Sequence, residues 1–83
     1  MVNRNLNKLV GDKIKQKRHD LGVTQHELGL ILGCTFQLIQ HYENGFCGMP
    51  IAMLSDFALL CKIPLDWFLL AENEILVSIT IIE

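Results

Sequence analysis

The residues with the richest side-chain chemistry do not form a reaction centre. Cys34, Cys47 and Cys61 stand 13 and 14 residues apart, which is neither a metal-ligand nor a redox spacing. They read as buried or half-buried small apolar residues. A zinc site shared with His26 or His41 would need a CxxC or HxxxH pair, and neither occurs. His41 reads as a surface histidine, because nothing near it in sequence supplies a nucleophile or an oxyanion donor set. No enzyme, no metal and no cofactor is expected. The other reactive feature is a set of lysines, Lys8, Lys13, Lys15 and Lys17. They form either a solvated helix face or a phosphate-contacting one.

The elements that position these residues centre on 24–45. Thr24 is a good N-cap with Glu27 three residues on, which is a capping box. Leu28, Ile31 and Leu32 follow at helical spacing, and Gly33 is the expected stop. Thr35 caps a further helix in which Ile39 and Tyr42 face inward, and Asn44-Gly45 ends it. Two helices this short need a third partner, as in a helix-turn-helix. Upstream, Leu6, Val10, Ile14 and Leu21 mark one face of a helix over about 6–21, ended by Gly22. Asn3 or Asn5 can cap it, and residues 1–5 form a polar, mobile arm. Val23 can staple onto Leu28.

Downstream, residues 45–49 make a glycine-containing loop, and Pro50 suits the first turn of a fourth helix. Ile51, Leu54, Phe57, Ala58 and Cys61 form its stripe, ending near Lys62. Pro64 opens a fifth helix over about 65–71, with Leu65, Phe68 and Leu69 toward the core and Trp67 over its edge. Asp66 favours the first turn of that helix. In the tail, Ile75, Val77, Ile79 and Ile81 alternate with Leu76, Ser78, Thr80 and Ile82. Period 2 and β-branching point to a strand; the competing readings are an extension of helix 5 or a frayed end.

Eighty-three residues, 51% of them apolar, make one domain with a core that needs no disulfide. No run of ~18 apolar residues predicts a membrane span. Met1-Val2-Asn3-Arg4-Asn5 lacks the apolar core of a signal peptide, so a reducing cytoplasm is expected. The net charge of −2 argues against a nucleic-acid binder, but its distribution does not. Residues 1–41 hold six Lys/Arg against three Asp/Glu, while 42–83 hold one Lys against six acids. The basic half contains the two short helices.

The ordered combination Ile14 to Arg18, Leu21 to Gln25, Glu27-Leu28, Gly33 to Thr35, Ile39 and Tyr42 to Gly45 resembles the Cro/CI-type (XRE, lambda repressor-like) helix-turn-helix regulators. Pro50, Leu54, Phe57-Ala58 and Ile63 to Leu69 continue the resemblance, which covers roughly residues 6–70. It implies an all-α, five-helix DNA-binding domain over residues 1–72, with 73–83 as a tail and possible dimerisation strand. The third helix, about 35–43, would lie in the major groove. By position, Thr24 and Gln25 look like phosphate and base-proximal contacts. Thr35, Phe36, Gln37, Gln40 and His41 look like the base-facing set, and Asn44 like a backbone contact. Gln37 could bond an adenine edge and Phe36 cover a thymine methyl. Phe36 could instead pack on a neighbour, and Gln37, Gln40 and His41 could be solvated. Lys13 and Lys17 join the set if they touch phosphate. Arg18 and Glu43 correspond to a paired Arg and Glu, expected as a partly buried ion pair.

Two function classes follow. The first is a sequence-specific double-stranded DNA-binding transcriptional regulator, a repressor that binds a pseudo-palindromic operator as a homodimer. The second is an antitoxin or adaptor-type interaction module on the same fold. Relatives usually carry Lys or Arg in the loop after helix 3, where this chain has Phe46, Cys47, Gly48 and Met49, so an apolar protein partner is the alternative use of that loop. The expected dimer interface comprises Phe46, Met49, Ile75, Val77, Ile79 and Ile81.

Overall fold

A computed structural model describes residues 3–69 of the chain. The order is α1 (Asn3–Leu21), α2 (Gln25–Leu32), α3 (Phe36–Glu43), α4 (Ile51–Cys61) and a 3-10 helix, Leu65–Leu69. The described residues contain four α-helices rather than five, because the segment after Pro64 is wound as 3-10. A five-residue stretch has room for few i→i−4 bonds, and the tighter turn brings Phe68 onto the core. The described residues include no strand. The strand expected at 75–82 lies outside the described residues.

Local signals set most helix ends. The Thr24 hydroxyl accepts the Glu27 amide at 3.0 Å, and the Glu27 carboxylate accepts the Thr24 amide at 2.8 Å, so the capping box is complete. The Thr35 hydroxyl accepts the Leu38 amide at 3.2 Å. Gly33 sits at φ +80 and closes α2, with the Cys34 amide reaching back to the Gly29 carbonyl. α1 starts at Asn3, before the expected boundary. Residues 3–5 are therefore helical, and neither Asn3 nor Asn5 stands ahead of the helix as a cap. Extending a formed helix by a turn needs no new nucleus, so a boundary set by periodicity alone falls late.

The core is one cluster. Ile14, Leu28, Ile39, Phe57 and Phe68 are sealed from solvent, and Val10, Tyr42, Met49, Leu54 and Ala58 surround them. Phe57 and Phe68 lie with ring centroids 5.5 Å apart, a tilted pair favoured by the ring quadrupoles. Several residues expected to face inward do not. Leu6 and Leu21 are exposed at the two ends of α1, where fewer neighbours overlie the stripe. Ile31, Ile51 and Leu69 are also exposed. A short helix touches its neighbours along a narrow strip, so residues at the strip's margin stay in solvent. Met49 goes the other way: it is buried in the core of its own chain, which leaves it little surface to offer an interface.

Candidate nucleic-acid interface

α2 and α3 form a helix-turn-helix whose two parts approach to backbone distance. A methyl group on Gly29 would lie 2.6 Å from the Cys34 carbonyl oxygen, so only glycine fits there. A second close approach fixes α3 against α1. A methyl on Gly11 would collide with the Tyr42 carbonyl oxygen and stand 2.7 Å from that of Glu43. Sequence reasoning missed Gly11. Its signal was a glycine within a helical pattern, which costs about 1 kcal/mol of propensity and therefore asks for a packing reason.

Beside that crossing lies the expected ion pair. Arg18 Nε donates to Glu43 Oε2 at 2.6 Å and its NH2 to Glu43 Oε1 at 3.2 Å. Glu43 is 2% exposed and Arg18 8%. The guanidinium also donates to the Val23 carbonyl at 3.0 Å. Its NH2 meets His19 Nε2 at 3.2 Å, which must be the acceptor because arginine has no lone pair to offer. Gln25 Nε2 donates to Glu43 Oε1 at 3.0 Å. One carboxylate thus joins α1, α2 and α3. No buried side-chain nitrogen or oxygen among the described residues lacks a partner.

This joint leaves one face of α3 to solvent. Gln37, Gln40 and Asn44 are exposed and His41 is half-buried. The helical period puts these four on the side opposite buried Ile39, Tyr42 and Glu43. The His41 ring lies 4.8 Å from that of Phe46. Phe36 is half-exposed, but it turns toward α2 and meets the His26 ring at 6.2 Å, nearly edge-on. With Leu30, Cys34, Thr35 and Gln37 the pair lines a shallow depression beside the exposed face. His26 carried no signal in the sequence, since its partner is ten residues away. Thr24 and Thr35 spend acceptor capacity on caps, which leaves each hydroxyl proton free. Gln25 is half-buried and held by Glu43.

Two expected members do not join this group. Lys13 and Lys17 hold their ammonium groups over the Trp67 ring, 4.3 and 4.7 Å from its centroid. Lys17 also lies 3.6 Å from Asp20. Cation–π attraction draws both lysines toward the 3-10 helix and away from the side of α1 that meets α3.

The cysteines are free. Burial pushes the Cys34 and Cys61 thiols up from their ordinary value, disfavouring the thiolate needed for nucleophilic or metal chemistry. Among the described residues no group of three His, Cys, Asp or Glu could hold a metal ion, and no helix is long and apolar enough to cross a membrane.

Over 59 residues, 71% of the chain, the sequence is 37% identical to an HTH-type transcriptional regulator of Sinorhizobium medicae and to another of Rhizobium meliloti. It is 36% identical over 59 residues to a transcriptional regulator in the ATPase CF(0) region of Rhodospirillum rubrum. The chain covers 42% of each of the first two and 55% of the third, so it spans about half the length of the curated relatives it matches. No family model and no solved structure matches it. The similarity to named HTH-type regulators agrees with the helix-turn-helix formed by α2 and α3.

Proposed function

We propose that residues 1–72 are a sequence-specific duplex-DNA-binding domain of a transcriptional regulator of the Cro/CI type, with α3 as the element that enters the major groove. The observation that carries this reading is the exposed polar face of α3, Gln37, Gln40, His41 and Asn44, held rigid from behind by the Glu43 joint. A reading face must be presented to the base edges at a fixed angle, and a carboxylate tied to three helices fixes the backbone of α3 that carries it. Gln37 is the base-reading residue of choice. Thr24 and Asn44 take backbone contacts at the two ends of the helix-turn-helix. Two copies on a pseudo-palindrome, with readers about 34 Å apart, would multiply these few contacts. Repression by promoter occupancy in the cytoplasm is the regulatory outcome. Selecting bound sequences from a random duplex pool tests the reading: a recovered palindromic consensus supports it, and an unenriched pool rejects it.

A second reading, an antitoxin or adaptor-type module, is favoured by one observation. Phe46, whose ring lies against that of His41, is 77% exposed, and Ile51, at the start of α4, is 64% exposed. On that reading the loop binds an apolar partner surface. Salt-dependent retardation of random duplex at micromolar protein favours the first reading; its absence favours the second.

A further inference from the structure

Between His19 and Cys61 the chain has no lysine and no arginine. The whole of α2, α3, the following loop and α4 therefore brings no such cation to a duplex that carries about one negative charge per 1.7 Å. Neutralising charge must come from elsewhere, and α1 is the element that packs most closely behind the reader.

Over residues 6–21 the lysines and the arginine of α1 divide by direction. Arg18 is consumed by Glu43. Lys13 and Lys17 stand over Trp67. Lys8 and Lys15 are exposed, and at about 100° per residue they project together. Their flank adjoins Gly11 and Arg18, the positions where α1 meets α3, across the buried Val10–Ile14 stripe from Lys13 and Lys17. Contact with the loop after α3 is direct. A methyl on Gly45 would lie 2.7 Å from Lys8 Cα, and one on Gly48 would lie 2.8 Å from Asn7 Oδ1. The first turns of α1 thus back the loop whose own side chains, Phe46 to Met49, carry no charge.

We infer that Lys8 and Lys15 are the phosphate clamp on the side of the reader where its C-terminus meets the loop, with α1 supplying the charge the loop lacks. The ligand is a DNA-backbone phosphate, and the inference rests on the DNA-binding reading above. Lys8 bonds Asp12 at 2.8 Å, but both side chains are more than half exposed. Such a surface pair is weak enough for a phosphate to take over the ammonium. Asp12 then acts as a brake, an anion beside the phosphate.

The experiment is a salt series of affinities of the full chain for a random-sequence duplex. Lys8→Gln and Lys15→Gln should each weaken binding several-fold at low salt. Each should also flatten the slope of log affinity against log salt by about 0.9, one phosphate contact. Asp12→Asn should bind more tightly, a gain that no folding defect imitates. Lys13→Gln and Lys17→Gln should keep the wild-type slope. If wild type shows no salt-dependent affinity, the DNA-binding reading falls and this clamp with it. If wild type binds but Lys8→Gln and Lys15→Gln keep its slope, the clamp alone is overturned.

Discussion

The back and the front of α3 are built on opposite principles. Behind it, Glu43 and Arg18 are nearly sealed from water, and among the described residues every buried side-chain nitrogen and oxygen is partnered. In front, Gln37, Gln40 and Asn44 are exposed, and among the described residues no side-chain hydrogen bond reaches them. A buried charge is stable only while its partner stays, whereas an exposed amide is hydrated and can trade water for a base edge. The back should therefore govern stability and the front recognition. The two sides are separable by substitution even where they are one residue apart, as at Glu43 and Asn44.

The largest effect should come from breaking the joint. Arg18→Met strands the Glu43 carboxylate and should cost about 3 kcal/mol or more. A chemical denaturation midpoint within error of wild type would mean that the pair is no more than a surface contact. Next comes the crossing at Gly11. Gly11→Ala gains about 1 kcal/mol of helix propensity but drives a methyl into the Tyr42 carbonyl, and overpacking of this kind costs about 1–3 kcal/mol. The variant should be destabilised on balance, and a raised melting temperature would show that α1 and α3 stand further apart.

The front should behave in the opposite way. Gln37→Ala should lose about 1–3 kcal/mol of specific binding, leave random-duplex affinity nearly unchanged, and leave the denaturation midpoint where it was. Equal loss on every sequence would place Gln37 on the backbone. Trp67→Leu removes a shared cation–π partner and should cost no more than about 1 kcal/mol for each lysine, with no change in the salt slope of DNA binding. A flattened slope would return Lys13 and Lys17 to the phosphate set.

The smallest effect concerns pH. The Cys34 and Cys61 thiols and the Tyr42 hydroxyl are all pushed up by burial. Their folded values exceed their unfolded ones, so the neutral forms favour folding at low and neutral pH. That contribution fades as pH climbs past about 9, where the unfolded thiols begin to ionise. Unfolding midpoints that are flat from pH 7 to 8 and fall above 9 fit this; rising ones contradict it.

The sequence by itself determined what depends on neighbours a few residues away. Thr24 with Glu27, Thr35 and Gly33 announce their caps and stops because each bond closes within one helical turn. The Arg18–Glu43 pair also came through, by position in a resembling pattern. What lies between elements was hidden. Whether Leu6, Ile31, Ile51 and Leu69 are covered depends on which part of a helix its neighbour overlies, and periodicity carries no record of that. Met49 looked like a loop residue free for a partner until the fold enclosed it. The four lysines of α1 read as one set. Only the docking of the 3-10 helix on one flank and of the α3 end on the other separated Lys13 and Lys17, over Trp67, from Lys8, whose backbone adjoins Gly45. The physical reason is range: a hydrogen-bonded cap is decided by a few consecutive residues, while the direction a surface charge serves is decided by whatever packs beside it.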